Sequence, residues 1–111
     1  MMGSRQQWEE LAGRANYDAG ELARLCRLSD RQLRRQFRRR LDRTPQDWLN
    51  ERRLIAAREL LLSGQAVKEV AFNLGFKHSS HFCRQFKTFH HLTPSEFVSR
   101  QNGENGYVRH G

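Results

Sequence analysis

Residues 35–48 read Arg-Gln-Phe-Arg-Arg-Arg-Leu-Asp-Arg-Thr-Pro-Gln-Asp-Trp, and residues 84–97 read Arg-Gln-Phe-Lys-Thr-Phe-His-His-Leu-Thr-Pro-Ser-Glu-Phe. Arg35-Gln36-Phe37 thus recurs as Arg84-Gln85-Phe86, and Thr44-Pro45-x-x-Trp48 as Thr93-Pro94-x-x-Phe97, each 49 residues further on. Upstream, Leu22-Ala23 pairs with Val70-Ala71 at a shift of 48, so the second copy carries one extra residue near Gly75. A segment that repeats its apolar and basic positions while its other residues drift points to two copies of one binding device.

Working outward from the repeat, helical spacing accounts for the chain as far as the seventh helix. Trp8, Leu11, Ala12 and Ala15 form the stripe of a short first helix, ended at Asn16. Asp18 and Glu21 open a second helix, whose buried face is Leu22, Ala23, Leu25 and Cys26. Ser29 caps a third that runs to about Leu41. Thr44-Pro45 begins a long fourth helix reaching Ser63, with Gly64 as its left-handed stop. Its apolar residues Trp48, Leu49, Leu54, Ala57, Leu60 and Leu61 lie on more than one side, as a connector between two cores requires.

Val67, Val70, Ala71 and Leu74 make a fifth helix, weakly started at Ala66 and followed by a tight turn at Gly75. A sixth runs from Ser79 or Ser80 to His90 with Phe82, Phe86 and Phe89 inward, and Thr93-Pro94 opens a seventh around Phe97. No alternating strand pattern occurs, so the expected class is all-α, with about seven helices in two helix-turn-helix units. The expected divisions are an N-terminal subdomain over 1–43, a connecting helix over 44–64, a C-terminal subdomain over 65–100 and a disordered, turn-rich tail over 101–111.

Charge suggests the partner. Twenty Lys and Arg against twelve Asp and Glu give a net charge of +8, which favours a polyanion without specifying a fold. On the third helix Leu33, Phe37 and Leu41 cluster on one side, while Arg31, Arg34, Arg35 and Arg38 group on another. On the sixth, Phe82 and Phe86 match the inward residues, and Ser80, Cys83, Arg84 and Lys87 match the four arginines. Long arginines suit guanine edges, and small polar residues suit close approach in a major groove. For Arg38, Arg39, Arg40 and Arg43, phosphate contact and plain solvation remain alternatives.

Other chemistries find little support. His78, His81, Cys83, His90 and His91 follow no zinc-finger spacing, so no metal site or cofactor is expected. Nucleophile–base arrangements, paired catalytic carboxylates and a phosphate-cradling glycine loop are all lacking, which argues against an enzyme. Cys26 and Cys83 lack disulfide-framework spacing and read as free thiols. Trp8, Trp48 and the seven Phe residues read as core. No apolar run approaches the ~20 residues of a membrane span, and the N-terminus has no signal-peptide core, so the chain reads as cytoplasmic.

Three groups of residues carry a family likeness. They are Leu22-Ala23, Ser29, Leu33 and Phe37; then Arg53-Leu54-x-x-Ala57 with Leu60-Leu61; then Ala71-x-x-x-Gly75-Phe76, Phe82-x-Arg84-x-Phe86-Lys87 and Thr93-Pro94-x-x-Phe97. From Asp18 to Arg100 the chain resembles the DNA-binding domain of the AraC/XylS-type bacterial transcription regulators. The resemblance implies two helix-turn-helix units joined by a rigid helix, with recognition helices in successive major grooves of double-stranded DNA. It implies base reading by Arg31, Arg34 and Arg35 in the first unit and by Ser79, Ser80, Cys83 and Arg84 in the second. Phosphate contacts would come from Arg38, Arg39, Arg43 and Lys87.

RNA polymerase is implied as a further partner, transcription activation as the role, and the bacterial nucleoid as the place. A chain with two readers can bind as a monomer, or serve as part of a longer regulator. The alternative is a basic helical module that binds RNA or an acidic protein. The sequence departs from the family at Asp42 and His91, where glycine is common, and at His78, where Ser or Asp often caps the helix. Cys83, a weak hydrogen bonder, favours contact with a thymine methyl over polar reading.

Overall fold

A computed structural model of the protein describes residues 5–106, with side chains through residue 102. The described residues contain α1 (Arg5–Ala12), α2 (Ala19–Cys26), α3 (Asp30–Leu41), α4 (Pro45–Leu62), α5 (Val67–Asn73), α6 (Ser79–His90) and α7 (Pro94–Gly106), and no strand. The protein is all-α. It divides into two compact units, 1–53 and 54–111, with the boundary inside α4.

Local chemistry sets the helix ends. The Asp18 carboxylate accepts from the Glu21 N–H at 3.0 Å and starts α2. Ser29 and Gln32 cap α3 reciprocally, at 3.1 Å and 2.8 Å. The Thr44 hydroxyl accepts from the Asp47 N–H, and Thr93 repeats this with Glu96, whose carboxylate returns the bond to the Thr93 N–H. Ala66 has no capping side chain; Glu69 reaches back to its N–H instead, at 3.0 Å. His78 gives α6 no side-chain cap.

The stops repeat as well. Gly64 and Gly75 have φ of 102° and 85°, the left-handed geometry expected of them. Asp42 and His91, at the ends of α3 and α6, also turn left-handed, with φ of 54° and 70°. Arg27 does so too, with φ 60° at the end of α2. Its place in the repeat is that of Gly75, so the first unit makes with arginine the turn that the second makes with glycine. A β-carbon in this region costs roughly 1–2 kcal/mol, partly offset by the greater unfolded-state freedom of glycine. Arg27→Gly is therefore expected to raise stability by about 0.5–1 kcal/mol, seen as a higher urea midpoint at unchanged slope; a lowered midpoint would contradict a strained turn.

The core of unit 1–53 is built around aromatics on three helices. Trp8 stacks on Phe37 with centroids 3.9 Å apart, and Trp48 meets Phe37 edge-on at 5.4 Å. Leu22, Cys26, Leu33 and Leu49 complete it. In unit 54–111, Phe86 contacts Phe82, His90 and Phe97 at centroid distances of 5.7, 4.3 and 5.9 Å. Leu54, Ala57, Leu61, Val70, Ala71 and Leu74 are buried in the same unit. No helix among the described residues is long and apolar enough to cross a membrane.

Four expectations need correction. α1 ends at Ala12, and Ala15 reaches the core from the following turn, where Asn16 and Tyr17 both have positive φ. Phe72 is 80% exposed, because Val70 and Ala71 form the inward face of α5 and Phe72 lies on the other side. Phe89 is exposed because His90, one helical turn after Phe86, takes the inward position and packs on the Phe86 ring. The sequence over 101–106 continues α7 rather than turning into a disordered tail, since extending a formed helix costs far less than starting one. Residues 107–111 of that expected tail lie outside the described residues.

Candidate nucleic-acid interface

α3 is a two-faced helix. Leu33 and Phe37 are buried, while Arg31, Arg34, Arg35, Arg38, Arg39 and Arg40 are all exposed. Arg31, Arg34, Arg35 and Arg39 pair with no carboxylate among the described residues. Arg38 lies 3.5 Å from Asp42, with both side chains mostly in solvent, so the contact restrains it little. Arg40 holds its guanidinium 5.9 Å above the Trp8 ring and so rests partly on the core.

α6 presents the same layout with different chemistry. Phe82 and Phe86 face inward; Ser79, Ser80, Arg84 and Lys87 are exposed, and Cys83 is half-buried. The Thr88 hydroxyl donates to the Arg84 backbone carbonyl at 3.0 Å. Lys87 lies within electrostatic reach of Glu96. That carboxyl is held below its ordinary range chiefly by the Thr93 N–H, with Lys87 and Arg100 adding to the effect.

Arg43 differs from the other phosphate candidates. It is half-buried, ion-paired with Glu51, and donates to the Asp47 carbonyl at 3.3 Å, so it braces the start of α4. No local pattern signals this, because the partner acid lies eight residues away on the next helix.

Two positioning residues also escaped the sequence reading. Gln46 accepts from the Ala19 N–H at 2.9 Å and donates to the Tyr17 carbonyl and the Asn50 side chain, at 2.9 and 3.0 Å. It ties the left-handed turn before α2 to α4. Arg53 donates to the same Tyr17 carbonyl at 3.4 Å and lies 6.0 Å over the Tyr17 ring. Burial pulls the Arg53 guanidinium down from its ordinary value, while Tyr17 and Asp18 oppose the shift; an arginine there keeps its charge. Polar bridges between segments 27 to 36 residues apart have no periodic signature.

The histidines have structural surroundings. His90 Nε2 donates to the Leu54 carbonyl at 2.9 Å, and His81 packs edge-on to Phe76. Among the described residues no group of three or more His, Cys, Asp or Glu side chains could hold a metal ion. Both cysteines are free; Cys26 is buried, and that burial pushes its thiol up.

A family model described as a helix-turn-helix domain matches residues 22–100. The HTH-type transcriptional activator RhaS of Escherichia coli strain SE11 is 33% identical over 102 residues, covering 91% of this chain and 35% of RhaS. RhaS of the O157:H7 strain EC4115 matches to the same extent. The chain therefore spans 35% of the length of these curated relatives.

Two solved structures share the fold. One is a transcriptional regulator from Chromobacterium violaceum described as an AraC-type DNA-binding domain-containing protein. It has 24% identity, a TM-score of 0.70, and coverage of 86% of this chain and 92% of its own. The other is a DNA-binding transcriptional dual regulator from Escherichia coli K-12, with 22% identity, a TM-score of 0.75, and coverage of 84% and 86%.

Proposed function

This chain belongs to the AraC/XylS-type family of helix-turn-helix DNA-binding domains, and on that footing we propose that it binds double-stranded DNA sequence-specifically through α3 and α6 to regulate transcription. One observation carries the reading. Two helices at matching places in an internal repeat bury the same aromatic positions, Phe37 and Phe86, and expose matching positions beside them. A basic surface alone would suit many polyanions; its repetition on two buried scaffolds suits a duplex with two accessible grooves.

Arg31, Arg34 and Arg35 on α3, with Ser79, Ser80, Cys83 and Arg84 on α6, are the base-reading residues in this proposal. Arg38, Arg39 and Lys87 serve phosphates, and Arg43 serves them less directly because of its bond to Glu51. Likeness to RhaS, named a transcriptional activator, supports activation as the direction; RNA polymerase as a partner and the bacterial cytoplasm as the setting belong to the same proposal.

Selection of random duplexes by the purified protein, at near-physiological salt with excess competitor, tests the proposal. An asymmetric motif with two elements about one helical turn, ~34 Å, apart is the expected product. Failure to enrich any duplex, with tighter binding to single-stranded RNA, would hand the surface to an RNA partner. Arg35→Ala is expected to cost ~1–3 kcal/mol of affinity and to relax preference at one base position. A uniform loss on every sequence would instead make Arg35 a phosphate contact.

A further inference from the structure

Resting on the duplex-binding reading, we propose that the two units contribute unequally: α3 supplies most of the salt-dependent attraction beside its own base contacts, and α6 acts almost wholly through sequence discrimination with a small electrostatic share. The internal repeat allows a position-by-position comparison. Arg31, Arg34, Arg35 and Arg38 correspond to Ser80, Cys83, Arg84 and Lys87. The next two places are Arg39 and Arg40 on α3 but Thr88 and Phe89 on α6. Six arginines against Asp30 leave α3 at +5, whereas Arg84 and Lys87 leave α6 at +2 with histidines neutral.

The surroundings widen the difference. Five of the six α3 arginines, all but Arg38, have no carboxylate partner among the described residues. On α6, Lys87 shares its field with Glu96. Each phosphate neutralised by a cation releases counterions and steepens the dependence of log K on log salt by about 0.9. That attraction tolerates loose geometry, so a row of long, solvated arginines can hold any duplex.

Serine and cysteine behave differently. Their side chains are short, so they contribute only when the helix backbone comes close to the base edges. A hydroxyl or thiol left facing the wrong edge is desolvated without return, and a half-buried sulfur suits a thymine methyl. Reading through Ser80 and Cys83 therefore rewards the right sequence and penalises others, with little dependence on salt.

The test uses the full chain, the duplex recovered by selection, and a random-sequence duplex of the same length. Affinities for both are measured over a range of salt concentrations, with folding checked by circular dichroism. Arg38→Gln with Arg39→Gln is expected to lower the salt slope by roughly 2 on both duplexes and to leave the ratio of their affinities unchanged. Ser80→Ala with Cys83→Ala is expected to keep the slope and to reduce that ratio by roughly tenfold.

If Arg84→Gln with Lys87→Gln lowers the slope as much as the α3 pair does, or the α6 pair Ser80→Ala with Cys83→Ala leaves the ratio intact, the division is overturned while sequence-specific binding stands. A wild-type ratio near one overturns the discriminating role of α6 together with the proposed function. The α3 slope change would then stand as the anchor of a non-specific binder.

Discussion

Phe86→Ala is expected to destabilise unit 54–111 by about 3–5 kcal/mol, the usual cost of emptying a buried phenylalanine site. Phe86 is the hub of that unit: fully buried, and in ring contact with Phe82, Phe97 and His90. Small domains have total stabilities of roughly 5–15 kcal/mol, so the loss would bring that unit close to unfolding in buffer. Trp8 and Trp48 both lie in unit 1–53, so tryptophan fluorescence reports on that unit while far-ultraviolet dichroism reports on every helix. In urea, the dichroism is expected to fall earlier than in the parent protein. A midpoint that stays in place would remove Phe86 from the hub.

Trp8→Ala should have a comparable effect in the other unit, about 3–5 kcal/mol, although α1 lies outside the helix-turn-helix itself. Trp8 is fully buried, stacked on Phe37 of α3 and set edge-on to Trp48, with Arg40 over its outer face. Its removal takes away the support behind the arginine-bearing helix, so DNA affinity is expected to fall through loss of folding. Trp8→Phe keeps an aromatic ring against Phe37 and should restore most of both properties. Lost affinity in Trp8→Ala at an unchanged urea midpoint would instead put α1 in direct contact with the duplex.

The readable parts of the fold are those with a local cause. Ser29, Thr44 and Thr93 mark helix starts because their hydroxyls sit three residues before the N–H groups they accept from. Gly64 and Gly75 mark stops because a missing β-carbon makes left-handed turns inexpensive. The inward faces of α3 and α6 follow from helical spacing, and the repeat fixes which face is which. Arg27 has no such local mark: its N–H closes the end of α2 on the Ala23 and Arg24 carbonyls in a left-handed turn that runs against the residue's own preference.

Spacing was also too coarse for Phe72 and Phe89, which stand one place from buried Ala71 and from half-buried His90 respectively, and so lie about 100° round the helix from the inward residue. The candidate interface was legible as a set of exposed positions. Its internal tether at Arg43 was not, because Glu51 becomes its neighbour only once α4 has formed. The same holds for Gln46, whose partners at Tyr17 and Ala19 are remote in sequence.

The environments of the two cysteines make the native chain ready for single-site labelling. Cys26 is sealed in the first core, and burial holds its thiol in the unreactive protonated form. Cys83 is partly open, on the outward side of α6. A thiol-specific fluorophore added to the folded protein would therefore attach at α6 without mutagenesis, and brief unfolding would admit a second label at Cys26. The stoichiometry of dye uptake then becomes a clock for the opening of unit 1–53, read separately from anything unit 54–111 does.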